Sequence, residues 1–141
     1  FGNNFIKTML RLGAEREVLR VVADQQGAPT SAVDLAGALA KIACALASNA
    51  SAPTGTLHFS NAGATNWAEF AAEIFRLSAA RGGPGARVEP ITTADYPTPA
   101  RRPAYSRLAT DRIASLYAIS PRPWQAAVSD IIDELIPSRA S

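Results

Sequence analysis

Short strand-like runs alternate with longer helix-like segments along this chain of 141 residues, and the alternation restricts its possible folds. Three runs predict strands, namely "VLRVV" at 18–22, "TLHFS" at 56–60 and "ARVEPI" at 86–91. Helical patterns lie before, between and after them, giving the order α-β-α-β-α-β-α-α. Strands that alternate with helices are typical of α/β folds with parallel strand pairing.

A sheet usually contains about five or six strands, and only three short strands are predicted here. The sequence also begins with "FGNNF", without methionine, at what reads as a loop entering a helix. Both features predict a fragment of a longer protein. We expect the three strands to belong to a larger sheet whose other strands lie outside this sequence, and we expect exposed strand edges to favour self-association.

Polar caps and apolar stripes place the helices. Ser31 is positioned to cap a helix that reaches Ser48, and Asn66 with Glu69 resembles a capping box. Gly13 marks a possible end of the first helix. One face of the second helix carries Leu35, Leu39, Ile42 and Leu46. We expect two further stripes to be core and not to face a ligand: Trp67, Phe70 and Ile74, and Trp124, Val128 and Ile131.

Composition argues against several functional classes. The formal net charge is +2 and no block of like charges occurs, which does not support a nucleic-acid interface. No apolar run approaches the roughly 18 residues of a membrane span, so a soluble, cytoplasmic protein is expected. Cys44 is the only cysteine and is predicted to be buried in a helix. His58 is the only histidine and is predicted to be a structural strand residue, which argues against a metal site.

The residues of a complete nicotinamide reductase are missing from this sequence. No G-x-G-x-x-G loop opens a helix, so a dinucleotide-binding site is not predicted. Lys7 and Lys41 are the only lysines, and Asn3 and Gly37 stand four positions before them. A Tyr-x-x-x-Lys pair is therefore absent, and we predict no catalytic residue in this chain.

A proline-rich loop carries the strongest candidate binding residues. Arg101 and Arg102 lie between Pro99 and Pro103, and Arg107 follows. Proline fixes the backbone φ angle and reduces the entropy lost when a loop becomes ordered. A guanidinium group can form bidentate, charge-assisted hydrogen bonds with phosphate. The loop therefore predicts an anion site.

Two less specific interpretations of the basic residues remain open at this point. The arginines could belong to a solvated loop and pair with Asp95 or Asp111. Lys7, one turn into the first helix, could add a point charge to an anion site or could simply lie on a solvated helix face.

Several blocks of the sequence resemble, in order and spacing, the dTDP-4-dehydrorhamnose reductase family of extended short-chain dehydrogenase/reductases. These blocks are "GNNFIKTMLRL", "LRVVADQQGAPTSA", "LHFSNAGATNWAEFAAEIF", "YPTPARRPAYSRL" and "WQAAVSDIIDEL". The resemblance covers essentially the whole chain. It implies the carboxy-terminal, substrate-binding part of a Rossmann-like fold, with the amino-terminal cofactor half missing.

The resemblance also implies a ligand and the residues that hold it. The ligand would be a dTDP-sugar, and the parent enzyme would use NADPH or NADH to form dTDP-L-rhamnose. Arg102, with Arg101 beside it, matches the arginine that contacts the diphosphate in relatives that bind nucleotide sugars. Asn4 and Phe5 match the pair that borders the sugar-nucleotide pocket, and Gly27 and Ala28 occupy a region where other relatives carry a second phosphate-binding arginine. An alternative is a non-catalytic module, as in the reductase-like regulatory subunit of methionine adenosyltransferase.

Overall fold

The computed structural model describes residues 2–136, and this part of the chain contains five α-helices and four short strands. The helices are α1 (Phe5–Glu15), α2 (Ala32–Ser48), α3 (Trp67–Ala79), α4 (Asp111–Tyr117) and α5 (Trp124–Leu135). The strands are β1 (Val18–Val22), β2 (Gln26–Gly27), β3 (Thr65–Asn66) and β4 (Arg87–Ile91), and a 3₁₀ turn, Thr93–Asp95, follows β4.

Two small sheets connect these elements. Strands β1 and β4 pair in parallel, from Val18 opposite Arg87 to Val22 opposite Ile91. Strands β2 and β3 pair antiparallel, with Gln26 opposite Asn66. The α/β class and the parallel pairing predicted from the sequence are confirmed. The short antiparallel pair was not predicted.

The strand predicted at 56–60 is wrong. This segment is in no strand, and within residues 2–136 it forms no β-ladder with another segment. Its alternating pattern has a different origin, because Leu57 and Phe59 pack against a small cluster that contains Ile113 and Tyr117. A strand additionally requires a backbone partner, which the alternation of side chains does not supply. His58, predicted to be a strand residue, is exposed on this irregular segment.

Helix α1 begins as predicted but ends later. Asn4 is its N-cap, and its Oδ1 accepts a hydrogen bond from the Lys7 backbone N–H at 2.9 Å. The helix continues past Gly13 to Glu15, so Gly13 does not end it. A Cβ atom at Gly13 would lie 2.5 Å from Cε1 of Phe75. Glycine is therefore accommodated inside the helix because it allows α1 to approach α3 closely.

The main core lies between α1, α3, α5 and β1. Phe70, Ile74, Trp124 and Val128 are buried there, as predicted. Trp67 is 38% exposed, so its assignment to the core is wrong, and Ile131 is only partly buried. Both residues line the cleft described below, and so do Phe70, Trp124 and Val128, whereas these stripes were expected not to face a ligand.

The second helix is less buried than its apolar sequence suggests. A small cluster contains buried Ala38 with Ile113, Tyr117 and Ile119, and Ile42 is partly buried beside it. Most of the leucine face is exposed to solvent, namely Leu35, Leu39 and Leu46. Cys44 is also exposed, so the prediction that it is buried is wrong. The helix packs on the cluster through Ala38, Ile42 and Ala45, and the exposed leucines lie on the neighbouring part of its surface.

None of the helices within residues 2–136 is both long enough and apolar enough to cross a membrane. In the same residues, no three side chains of His, Cys, Asp or Glu come together as a metal site would require.

Candidate functional site

A cleft of about 920 Å³ lies between the start of α1, the segment after β1, the proline-rich loop and the inner face of α5. Four of the five predicted site residues line it: Asn4, Phe5, Lys7 and Arg102. They come from two segments almost one hundred positions apart in the sequence. The fold therefore brings the first helix and the proline-rich loop that carries Arg102 to one surface, as a shared binding site would require.

Aromatic side chains form one wall of this cleft. The ring of Phe5 is 4.9 Å from that of Trp67 and 5.2 Å from that of Phe70, measured between centroids. Phe70 in turn meets Trp124 edge-on at 5.6 Å. The indole Nε1 of Trp124 is buried and has no hydrogen-bond partner within the described part of the chain. The wall offers apolar surface and ring faces to a ligand.

Lys7 and Arg102 are the basic side chains that line the cleft within residues 2–136. Lys7 Nζ donates a hydrogen bond to the Gly2 carbonyl at 3.3 Å. Arg102 is exposed, and none of the ion pairs formed within the described residues involves it. Its guanidinium donors are thus open to an anionic ligand.

Arg101 and Arg102 differ in the surfaces that they line. Arg101 lines a second groove of about 540 Å³, next to Asp24, Thr93 and Pro97, and it does not line the main cleft. Arg102 lines both. The two arginines therefore share the second groove, and only Arg102 also reaches the main cleft.

The loop arginines are exposed, but within residues 2–136 they form no ion pair with Asp95 or Asp111. Asp95 Oδ2 instead accepts hydrogen bonds from the Thr92 backbone N–H at 3.0 Å and from the Thr92 hydroxyl at 2.8 Å. These bonds lower the pKa of the Asp95 carboxyl. Arg107 lines neither depression, and within residues 2–136 it forms no ion pair with Asp111.

Comparison with known proteins agrees with the resemblance seen in the sequence. A family model described as the RmlD substrate binding domain matches residues 1–136. The chain belongs to this family. The dTDP-4-dehydrorhamnose reductase of Escherichia coli K12 is 42% identical over 141 residues, which cover 99% of this chain and 47% of that protein. The dTDP-4-dehydrorhamnose reductase of Sinorhizobium fredii NGR234 is 40% identical over 137 residues, covering 96% of this chain and 46% of that protein.

Solved structures of the same kind of enzyme share the fold of this RmlD-type domain. A dTDP-4-dehydrorhamnose reductase from Clostridium acetobutylicum aligns with a TM-score of 0.83 and 39% identity, covering 95% of this chain and 44% of that one. One from Bacillus anthracis in complex with NADP aligns with a TM-score of 0.81 and 36% identity, with the same coverage of both chains. The chain thus spans less than half of the length of the relatives that it matches.

The described residues of this RmlD-type domain do not form a dinucleotide cradle. Its five helices start after Asn4, Ser31, Asn66, Thr110 and Pro123, and none of these starts carries a G-x-G-x-x-G turn. Within residues 2–136, the basic groups placed to meet an anion are those of Lys7 and Arg102 in the cleft.

Asp24, Gln25 and Thr93 form hydrogen bonds beside the proline-rich loop, and the sequence did not identify these residues. The carboxylate of Asp24 accepts hydrogen bonds from the Thr93 backbone N–H at 3.0 Å and from the Thr93 hydroxyl at 2.7 Å. Gln25 Nε2 donates to the same hydroxyl at 3.0 Å. These bonds lower the pKa of the Asp24 carboxyl. The only signal in the sequence was the "DQ" within the block "LRVVADQQGAPTSA", since Thr93 lies almost 70 positions away.

Proposed function

We propose that this chain is the nucleotide-sugar-binding part of a dTDP-4-dehydrorhamnose reductase. The complete enzyme, called the full-length reductase below, would reduce dTDP-4-dehydro-6-deoxy-L-mannose to dTDP-L-rhamnose with NADPH or NADH. The family match supports the proposal, and so do the reductases named above. The observation that carries it is the single cleft shared by Asn4, Phe5, Lys7 and Arg102.

Arg102 binds the diphosphate of the ligand in this proposal. Its guanidinium group has no competing carboxylate within the described residues, and its planar fork matches two phosphate oxygens. Lys7, which lines the same cleft, contributes a second positive charge through its ammonium group. Arg101 faces the adjacent groove, so its contribution is a weaker, longer-range attraction.

Asn4 and Phe5 border the less charged part of the same ligand. Asn4 uses Oδ1 to cap α1, which leaves its side-chain N–H groups free to donate to a sugar or base oxygen. Phe5 lies against Trp67 and Phe70, so its ring is held by neighbours. A ring with a fixed orientation offers a stacking or packing surface at little entropic cost.

Hydride transfer belongs to the remainder of the full-length reductase in this proposal. NADPH or NADH would supply the hydride there, in an amino-terminal Rossmann half that carries the glycine-rich loop and the Tyr-x-x-x-Lys pair. The chain itself binds and orients the sugar nucleotide. The regulatory-module alternative has no support in the described structure or among the relatives named above, which are reductases.

The proposal is tested by assaying the full-length reductase with dTDP-4-dehydro-6-deoxy-L-mannose and following NADPH or NADH consumption. We expect turnover by the full-length reductase and none by the isolated 141-residue chain. A full-length reductase that bound neither dTDP nor the keto-sugar would contradict the proposal.

A further inference from the structure

The ends of strands β1 and β4 come together directly beside the proline-rich loop. Asp24 lies two residues after β1, and Thr93 lies two residues after β4. Because Val22 pairs with Ile91 in a parallel ladder, the carboxyl ends of both strands lie side by side. The hydrogen bonds between Asp24 and Thr93 therefore continue the contact between β1 and β4 beyond the sheet.

The segment that follows Asp24 also holds the far end of the loop, at Ala104 and Ser106, whereas Thr93 marks its near end. The Gln26 backbone N–H donates to the Ala104 carbonyl at 2.8 Å. The Gln26 carbonyl accepts from the Ser106 backbone N–H at 2.9 Å and from the Ser106 hydroxyl at 3.1 Å. Three consecutive residues, 24–26, thus contact the chain both before and after the stretch that carries Arg102.

We propose that Asp24 and Thr93 are positioning residues that fix the near end of the proline-rich loop and so set where the Arg102 guanidinium enters the cleft. Backbone bonds anchor the far end at Gln26, and side-chain bonds anchor the near end. Between the two anchors, Pro97, Pro99 and Pro103 limit the conformations of the chain. Loss of the near anchor therefore leaves Arg102 in many orientations, only some of which suit a diphosphate.

This inference rests on the proposed function, because its readout is binding of dTDP. The key comparison uses two variants of Thr93 in the full-length reductase. Thr93→Val keeps the shape of the side chain but removes the hydroxyl that donates to Asp24 and accepts from Gln25. Thr93→Ser keeps the hydroxyl and is the matched control.

We expect Thr93→Val to weaken dTDP binding about threefold to tenfold by calorimetry, the range for one net hydrogen bond. Thr93→Ser is expected to bind as wild type. In steady-state kinetics the loss should appear as a raised KM for the keto-sugar with kcat nearly unchanged, because binding is weakened and the reacting atoms are not touched. Asp24→Asn, which removes the charge from the acceptor, should follow Thr93→Val.

A double-mutant cycle separates positioning from a general effect on the fold. In an Arg102→Ala background, Thr93→Val should cause no further loss, because the side chain that it positions is absent. An equal loss in both backgrounds would overturn the inference, as would wild-type affinity in Thr93→Val and Asp24→Asn. If wild type itself did not bind dTDP, the proposed function would fail instead. Asp24 is exposed, so Asp24→Asn provides the same cycle should Thr93→Val not fold.

Discussion

Arg122 Nε lies 3.0 Å and 2.9 Å from the two carboxylate oxygens of Asp34 and so connects the segment before α5 to the first turn of α2. Buried Asn61 completes the connection. Its side-chain N–H groups donate to Asp34 at 2.7 Å and to the Arg122 carbonyl at 3.2 Å, and its Oδ1 accepts from the Ser31 backbone N–H at 2.8 Å. This network holds together the part of the chain behind the cleft, whose wall includes Ser31.

Removal of the Asp34 carboxylate is expected to destabilise the fold. Asp34→Ala leaves one N–H of the buried Asn61 amide without its partner, and we expect a loss of about 1 to 3 kcal/mol in the free energy of unfolding. Asp130→Ala is the matched control, since Asp130 also pairs with Arg122, at 2.6 Å, but is 61% exposed. An exposed ion pair contributes about 0 to 1 kcal/mol. Urea denaturation of the full-length reductase measures both, and equal losses would contradict the assignment.

The Asp34 carboxylate should also make the stability of the fold depend on pH. Arg122 donates hydrogen bonds to Asp34 and lowers the pKa of its carboxyl below the usual value. The stabilisation is therefore fully present above the unfolded-state pKa of about 3.9 and is lost as the pH falls through the lower folded-state value. We expect the stability difference between wild type and Asp34→Asn to shrink as the pH is lowered from about 7 to about 3. A difference that stayed constant over this range would show that charge is not involved.

Two tryptophans that look equivalent in the sequence should respond differently to truncation. Trp124 is 5% exposed and packs on Phe70, so Trp124→Ala is expected to cost about 3 to 5 kcal/mol of unfolding free energy. Trp67 is 38% exposed and lines the cleft, so Trp67→Ala should cost much less stability. Thermal unfolding followed by circular dichroism compares them directly. An unchanged melting temperature for Trp124→Ala would contradict its placement in the core.

The difference between these tryptophans shows what the sequence could and could not predict. Helical spacing predicts which residues share a face, and the rings of Trp67 and Phe70 do both contact the ring of Phe5. Spacing does not tell whether another element covers the whole of that face. Trp67 lies at the helix start beside the cleft, where no element covers it completely. The same limitation explains the error at 56–60, where alternation was present but a backbone partner within the described residues was not.

The candidate site was predictable in part, for a similar reason. Asn4, Phe5, Lys7 and Arg102 were chosen from local chemistry and from the family resemblance, and they do line one cleft. The contact between Asp24 and Thr93 depends on the register of β1 against β4, which no local pattern specifies. The position of Arg101 outside the main cleft likewise depends on the path of the loop.

The isolated 141-residue chain is still predicted to self-associate. Its two-stranded parallel sheet is smaller than the usual sheet, and α2 exposes Leu39 and Leu46 to solvent. Exposed apolar surface of this kind favours association, so the apparent mass by light scattering should rise with concentration. The full-length reductase at matched concentration is the control. A stable monomer at high concentration of the isolated chain would contradict the prediction.

Arg102 should contribute more to dTDP affinity than either neighbouring arginine. Arg102→Ala removes a charged, bidentate donor to phosphate and is expected to weaken binding by about 1.5 to 3 kcal/mol, roughly tenfold to more than a hundredfold. Arg102→Lys should recover only part of this, because lysine keeps the charge but lacks the planar fork. Arg101→Ala is the closest control, since Arg101 lines only the adjacent groove, and Arg107→Ala is the second, since Arg107 lines neither depression. Calorimetric titration of the full-length reductase with dTDP ranks all four variants, and wild-type affinity in Arg102→Ala would remove Arg102 from the site.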